Sequence, residues 1–354
     1  MRANKNKLSL VQVSRAIAIL FVLIGHANGL FYKQFDYDWF NIAQWDRTGG
    51  VDFFFVVSGF MIYYIYHKNR GNPFKAREFL FKRVIRIFPL YWLMLLATVG
   101  LFLLVPTLNS GPPLTSLTII KNVFLFTTDP ILAVTWSLSF ILFFYLIFAA
   151  YLYQPKIIKY VVPIWIAMIL FTQYFTKHES FFLSFNHLEI YSGCFVAYLV
   201  LHFNIRFEKV LVIAGILGFL FLWVMNVNKV LGHEFLFTYS VFSLLIILGI
   251  ATMDLKKNRE IPSKLSLLGD ASYSIYICHG PVIQLFLLLF AKFRIYEETG
   301  FFVYLTLIIS LTTVSCFGIY LFIEKPMTTF LRKRLLKNSI LLQSSKSSSV
   351  ERIS

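Results

Sequence analysis

The sequence predicts an all-α fold: a polytopic membrane protein of about ten transmembrane helices with both termini in the cytoplasm. Three observations predict it. The chain is 58% hydrophobic and only 14% charged, at a mean hydropathy of +0.71; soluble domains carry about 25% charged residues. Apolar runs long enough to cross a hydrocarbon core about 30 Å thick recur along the whole chain. Lys and Arg gather in alternate connections, while the connections between them are neutral or slightly acidic. That is the positive-inside pattern, and it puts the N-terminus inside. The net charge of +16 therefore sets orientation and contacts anionic lipid head groups. It gives no reason to expect a nucleic-acid partner.

Taken in order, the apolar runs place helices near 10–30, 49–66, 84–105, 135–153, 160–175, 187–202, 210–226, 236–252, 271–291 and 301–323. The first carries Arg15, His26 and Asn28 and is followed by no small-residue cleavage site, so no cleavable signal peptide is expected. The longest outer connection, 106–134, holds a Pro- and Gly-containing stretch and then an apolar patch at 117–126. That patch is too short to span and reads as interfacial or re-entrant. Residues 1–330 form one membrane domain. The tail, 331–354, starts basic (Arg332, Lys333, Arg334, Lys337) and ends Ser-rich, the composition of a disordered cytoplasmic segment. Cys194, Cys278 and Cys316 all lie in apolar runs without metal-ligand spacing and read as small core residues, so no metal is expected. There is no internal repeat, no Walker motif and no Gly-rich nucleotide fingerprint.

Ionisable residues inside spans are the informative ones, because each costs several kcal/mol unless it is paired or faces water. Arg15 and His26 are separated by about three helical turns. They project from nearly one face, about 16 Å apart along the axis, Arg15 near the cytoplasmic end and His26 past the midplane. The pair suits a path for something that crosses; a snorkelling arginine and a satisfied core histidine have the same spacing. Asp52 opens the second helix, where an N-cap or dipole role also fits. Ser58-Gly59-Phe60 puts small residues in mid-helix, a sign of close helix packing. Arg83 and Arg86, at i and i+3, share a face at the cytoplasmic mouth of the third helix. Forked guanidinium groups there suit a phosphate-rich cytosolic ligand such as a nucleotide or coenzyme A, although charge that only sets topology looks the same. His279 falls on the cytoplasmic half of the ninth helix. Glu189 and Glu324 sit at span ends, placed to partner arginines. Spacing alone does not separate an enzyme from a transporter.

The same residues resemble the acyltransferase-3 family of membrane acyltransferases, over about residues 8–330. Ser14-Arg15-Ala16 with Gly25-His26-Ala27 is similar to the family's opening Arg-(ten residues)-His motif. Gly50-Val51-Asp52 through Ser58-Gly59-Phe60 resembles its second-helix signature. Lys82-Arg83, then Arg86-Ile87-Phe88-Pro89-Leu90-Tyr91-Trp92, resembles the third. Trp136-Ser137-Leu138-Ser139-Phe140 with Phe144-Tyr145 resembles the fourth. Leu268-Gly269-Asp270 with Tyr273, Tyr276 and His279, and Glu324-Lys325-Pro326, resemble the last two. No one piece is specific; six in order on one such chain are. The wording is closest to the exopolysaccharide and lipopolysaccharide O-acetyltransferases.

The resemblance implies acyl transfer, usually of acetyl from cytosolic acetyl-CoA to a sugar hydroxyl of a polysaccharide such as O-antigen or exopolysaccharide, or of a lipid-linked glycan, in a bacterial inner membrane. Arg15 and His26 take the positions of the essential pair. Arg83 and Arg86, with Tyr91 beside them, take the donor-binding positions. Ser58, Trp136, Glu189, His279 and Glu324 are further candidates. His26 could act as general base on the sugar hydroxyl or carry the acyl group as acyl-imidazole, with Asp52 orienting it if their helices pack. Two departures stand out: Ile141 occupies a position where the family often has glutamate, a role Glu189 could take over, and Ser14 replaces the leucine that commonly precedes the arginine. A different acyl group such as succinyl, a glycan exporter without chemistry of its own, and a pseudo-enzyme remain as alternatives.

Overall fold

The computed structural model describes residues 8–45, 47–109, 111–127, 129–176, 180–230, 238–256, 263–293 and 300–334. The expected tail therefore lies, from residue 335 on, outside the described residues. In chain order the helices are α1 (Ser9–Phe35), α2 (Gly50–Tyr66), α3 (Pro73–Leu104), α4 (Ser116–Val123), α5 (Trp136–Tyr153), α6 (Pro155–Phe171), α7 (Asn186–His202), α8 (Glu208–Val227), α9 (Thr238–Lys256), α10 (Ser263–Asp270), α11 (Ser272–Lys292) and α12 (Phe301–Ile319). No strand occurs among the described residues. Lipid offers backbone groups no hydrogen-bond partner, so helices satisfy them internally.

Nine helices among the described residues are long and apolar enough to cross a bilayer. The expected sixth crossing, α7, has 17 residues, or about 26 Å of helix. It lies packed against α2 and α9. The protein is a multi-pass membrane protein. Large apolar side chains such as Leu96, Leu104, Ile164, Phe221 and Val314 are exposed on the outside of the bundle, where the solvent is lipid.

Several helix limits differ by four residues or more from those the hydropathy predicts, and two of them bear on the site. α3 starts at Pro73 rather than at 84. Asn72 caps it, its side chain accepting from the Lys75 amide at 3.1 Å, and Pro73 occupies the first turn. Glu78 pairs with Lys75 and Lys82 on the added turns. Arg83 and Arg86 thus sit about three turns inside a helix rather than at its mouth. α1 runs to Phe35, past the expected end at 30. Its first amides, those of Leu10 and Val11, donate to the Asp254 carboxylate on α9, a cap supplied from across the bundle.

Small residues set the closest helix contact. A Cβ on Gly59 would lie 1.8 Å from the Ile190 carbonyl oxygen, and one on Gly193 1.9 Å from that of Val56. α2 and α7 therefore touch backbone to backbone, as the Ser58-Gly59 pair predicts. The apolar patch after Pro113 becomes the eight-residue α4, with Leu117 and Ile120 exposed. The Tyr91 hydroxyl donates to the Asn122 carbonyl, and Trp92 Nε1 donates to that of Val123 at 2.9 Å, pinning α4 to α3. Cys278 and Cys316 are buried and Cys194 is partly so, all three with free thiols.

Candidate active site

Two cavities lie end to end along the same strips of α1 and α11. The narrower, about 100 Å³, is lined by Arg15, Ser58, Arg83, Arg86, Ile141 and Tyr276 among others. Arg15 donates to Ser272 Oγ at 2.8 Å and to Gln12 Oε1 at 3.1 Å. The Arg83 guanidinium lies over the rings of Tyr66, Phe79 and Tyr145, 5.3–5.6 Å from their centroids. Such cation–π contact holds a charge without neutralising it. The Arg83 Nε is buried with no hydrogen-bond partner. Glu324 ends a π turn, Tyr320–Glu324, is buried, accepts from Ser274 Oγ and interacts electrostatically with Arg86 and Arg15. Three arginines around one narrow space, with one buried carboxylate beside them, leave the cavity positive and suited to an anion. Arg332, on the helical continuation of α12, lies within electrostatic reach of Arg83 and Arg86.

The second cavity is about 430 Å³. His26, Gly29 and Lys33 line it from α1, Thr98 and Phe102 from α3, Gly280 and Gln284 from α11, and residues 129–134 close one side. A Cβ on Gly29 or Gly280 would meet nothing within 4 Å, so both glycines widen the space. The His26 ring lies against the His279 ring, centroids 5.2 Å apart. His279 Nδ1 is 2.9 Å from the Ile275 carbonyl oxygen. A carbonyl only accepts, so Nδ1 carries the proton and Nε2 keeps its lone pair. That Nε2 is buried and has no partner. The site thus presents one imidazole to a cavity, backed by a second with a free lone pair.

The expected site residues divide into those the cavities gather and those they do not. Arg15, Ser58, Arg83 and Arg86 line the narrow cavity and His26 lines the wide one. Asp52 does not orient His26. Its buried carboxylate meets Arg47 at 3.0 Å, and Glu189 stands 3.6 Å from the same guanidinium. The loop before α2 folds Arg47 over the helix start, and Ser240 Oγ donates to Glu189 at 2.8 Å. Glu189 therefore faces an arginine, but not one of the cavity, and it does not replace the carboxylate missing at Ile141. Glu324 is the buried carboxylate beside the cavity arginines, and the partly exposed Asp270 also lies within electrostatic reach of Arg15. Tyr91 lines neither cavity, because its hydroxyl is spent on α4. Trp136 packs edge-on against Phe55 and Phe140. His279 lies at the level of His26, so the two do not belong to different halves of the membrane. Arg47 and the Tyr276–Ser137 contact were not singled out in the sequence, though Ser137 and Tyr276 fall within motifs; Arg332 falls in the tail expected to be disordered, whereas residues 331–334 are helical.

A membrane-embedded bundle with a cationic cavity at one level of α1 and α11 and a histidine-lined one at another fits a multi-pass membrane enzyme. The chain belongs to the acyltransferase-3 family: residues 11–321 match its acyltransferase domain, and the protein is an acyltransferase. It is similar to the exopolysaccharide production protein ExoZ of Rhizobium meliloti (strain 1021), at 27% identity over 254 residues, 66% of this chain and 75% of that protein. No solved structure matches.

Proposed function

We propose that this protein is a membrane O-acyltransferase of a bacterial cytoplasmic membrane that moves an acetyl group from cytosolic acetyl-CoA to a sugar hydroxyl of a surface polysaccharide. Its termini are cytoplasmic, as the alternation of Lys and Arg along the chain supports, and the narrow cavity lies at the Arg15 end of α1. The family membership supports acyl transfer, and the likeness to an exopolysaccharide production protein supports a glycan acceptor. The single observation that carries the proposal is the alignment of the two cavities on α1 and α11, cationic at one end and imidazole-lined at the other.

The narrow cavity is too small for a nucleotide. Arg83, Arg86 and Arg332 would hold the coenzyme A phosphates near its mouth, and the slender pantetheine arm would enter past Arg15. The wide cavity has room for about one or two sugar rings. His26 takes the proton of a sugar hydroxyl as that oxygen attacks the thioester carbonyl. The C–O bond forms, the C–S bond breaks, and the proton passes from His26 to the departing thiolate. His279, whose ring lies against that of His26, holds the His26 ring in place by this contact, the role first expected of Asp52.

The test is base-labile acetate on the surface polysaccharide of cells carrying the wild-type gene, no gene, or His26→Ala. Transfer should fall by about 10²–10⁴-fold in His26→Ala, with membrane insertion and thermal stability unchanged. An active His26→Ala protein would overturn the mechanism. Altered polysaccharide export with unaltered acetate would overturn the function.

A further inference from the structure

The partition between the two cavities is built from a single phenol and what it touches. Tyr276 and Ser137 line the narrow cavity; Val134, three residues before Ser137, lines the wide one. The Tyr276 hydroxyl donates to the Val134 carbonyl and also meets Ser137 Oγ. With the phenol proton donated to Val134, the Ser137 hydroxyl is the donor in the second contact, and it also lies 3.5 Å from the same Val134 carbonyl. The Tyr276 ring is held by Phe54, 6.4 Å between centroids, and stands 6.3 Å from His279. Along α11 the lining passes from Tyr276 on one side to Gly280 on the other, one helical turn or about 6 Å. All groups in the latch are neutral. Breaking these bonds would leave buried polar groups unpaired, which is costly unless a substrate group takes their place, so the latch rests shut. The ring thus lines the arginine-lined cavity and stands beside the histidine against which His26 packs.

Resting on the acyl-transfer function proposed above, we propose that Tyr276 is the door between the donor and acceptor cavities, and that it keeps water from the donor thioester until an acceptor fills the wide cavity. Opening releases the hydroxyl from Val134 and lets the acyl end reach His26. Without the door, water takes the place of the sugar. The water oxygen bonds to the acyl carbon, the C–S bond breaks, and free acid and thiol leave, the proton passing from water through His26 to sulfur.

The first arm of the experiment needs no activity. With the native cysteines replaced by alanine, Ser58→Cys is introduced in sealed vesicles and probed with a membrane-impermeant thiol reagent. The reagent is added to the face from which Lys33→Cys is labelled. Labelling of Ser58→Cys should be slow with Tyr276 present. It should rise at least about fivefold in Tyr276→Phe, which loses the hydroxyl's contacts with both Val134 and Ser137, and further in Tyr276→Ala. The second arm follows thiol release from acetyl-CoA by the purified full chain without acceptor. The ratio of hydrolysis to transfer should rise in Tyr276→Phe. Equal labelling of Ser58→Cys with and without Tyr276, whether fast or absent, would overturn the door. Faster labelling in Tyr276→Phe, with no acyl transfer by the unaltered protein, would uphold the door and overturn the acyl-transfer function.

Discussion

Three buried acids show how one chemical group, the carboxylate, takes different work from its surroundings. Asp52 and Glu189 share Arg47, whereas Glu324 stands beside the cavity arginines. A role in folding and a role in catalysis separate by measurement. Asp52→Ala removes one side of a pair whose acid is wholly buried and whose arginine is about a quarter exposed. The cost should be about 2 kcal/mol, less than that of stripping a buried charge bare, because Glu189 stays within reach of Arg47. The melting temperature in detergent should therefore fall together with activity in Asp52→Ala, while in His26→Ala activity falls alone. A loss of transfer in Asp52→Ala at unchanged melting temperature would put Asp52 back in the chemistry. Arg15, His26, Arg83 and Arg86 stood out in the sequence because a charge inside an apolar run is costly and needs a reason. Tyr276 did not, because an aromatic residue in a membrane helix is ordinary there, and its hydroxyl matters only through the Val134 carbonyl it meets.

At the scale of the helix, the close approach of α2 and α7 is the most constrained feature of the bundle. Without a hydrophobic drive between helices in lipid, contact depends on packing, and small residues allow it. Gly59→Ala would drive a methyl into the Ile190 carbonyl. The helices would have to separate, at a cost of about 2–3 kcal/mol, visible as a lowered melting temperature and poorer recovery from membranes. Unchanged stability would mean that the two helices yield freely there. α2 also carries Ser58 into the narrow cavity, so the same change should weaken donor binding. Hydropathy located the spans well and their ends poorly. α3 extends eleven residues before its apolar run because Asn72 and Pro73 start it and Glu78 ties its first turns together. An amphipathic extension in water has no apolar excess to betray it.

At the scale of the molecule, the proposed donor site makes a binding prediction independent of turnover. Coenzyme A, added at about a hundred times its dissociation constant, should stabilise the purified protein by about 2.7 kcal/mol. Arg83→Ala with Arg86→Ala should lose that protection while retaining the fold. Protection unchanged in the double variant would move the donor elsewhere. By itself the sequence determined that this chain is a helical membrane protein, where its spans run, and which charged side chains lipid would not tolerate without a purpose. Those properties follow from transfer free energies summed over short windows, which composition and order suffice to state. Only the tertiary structure decided which groups meet: Asp52 with Arg47 rather than His26, His279 with His26, Glu324 with Arg86 and Arg15, and the Tyr276 phenol with the Val134 carbonyl. Pairings between residues far apart in the chain depend on how helices rotate and slide against each other, and no local pattern records that.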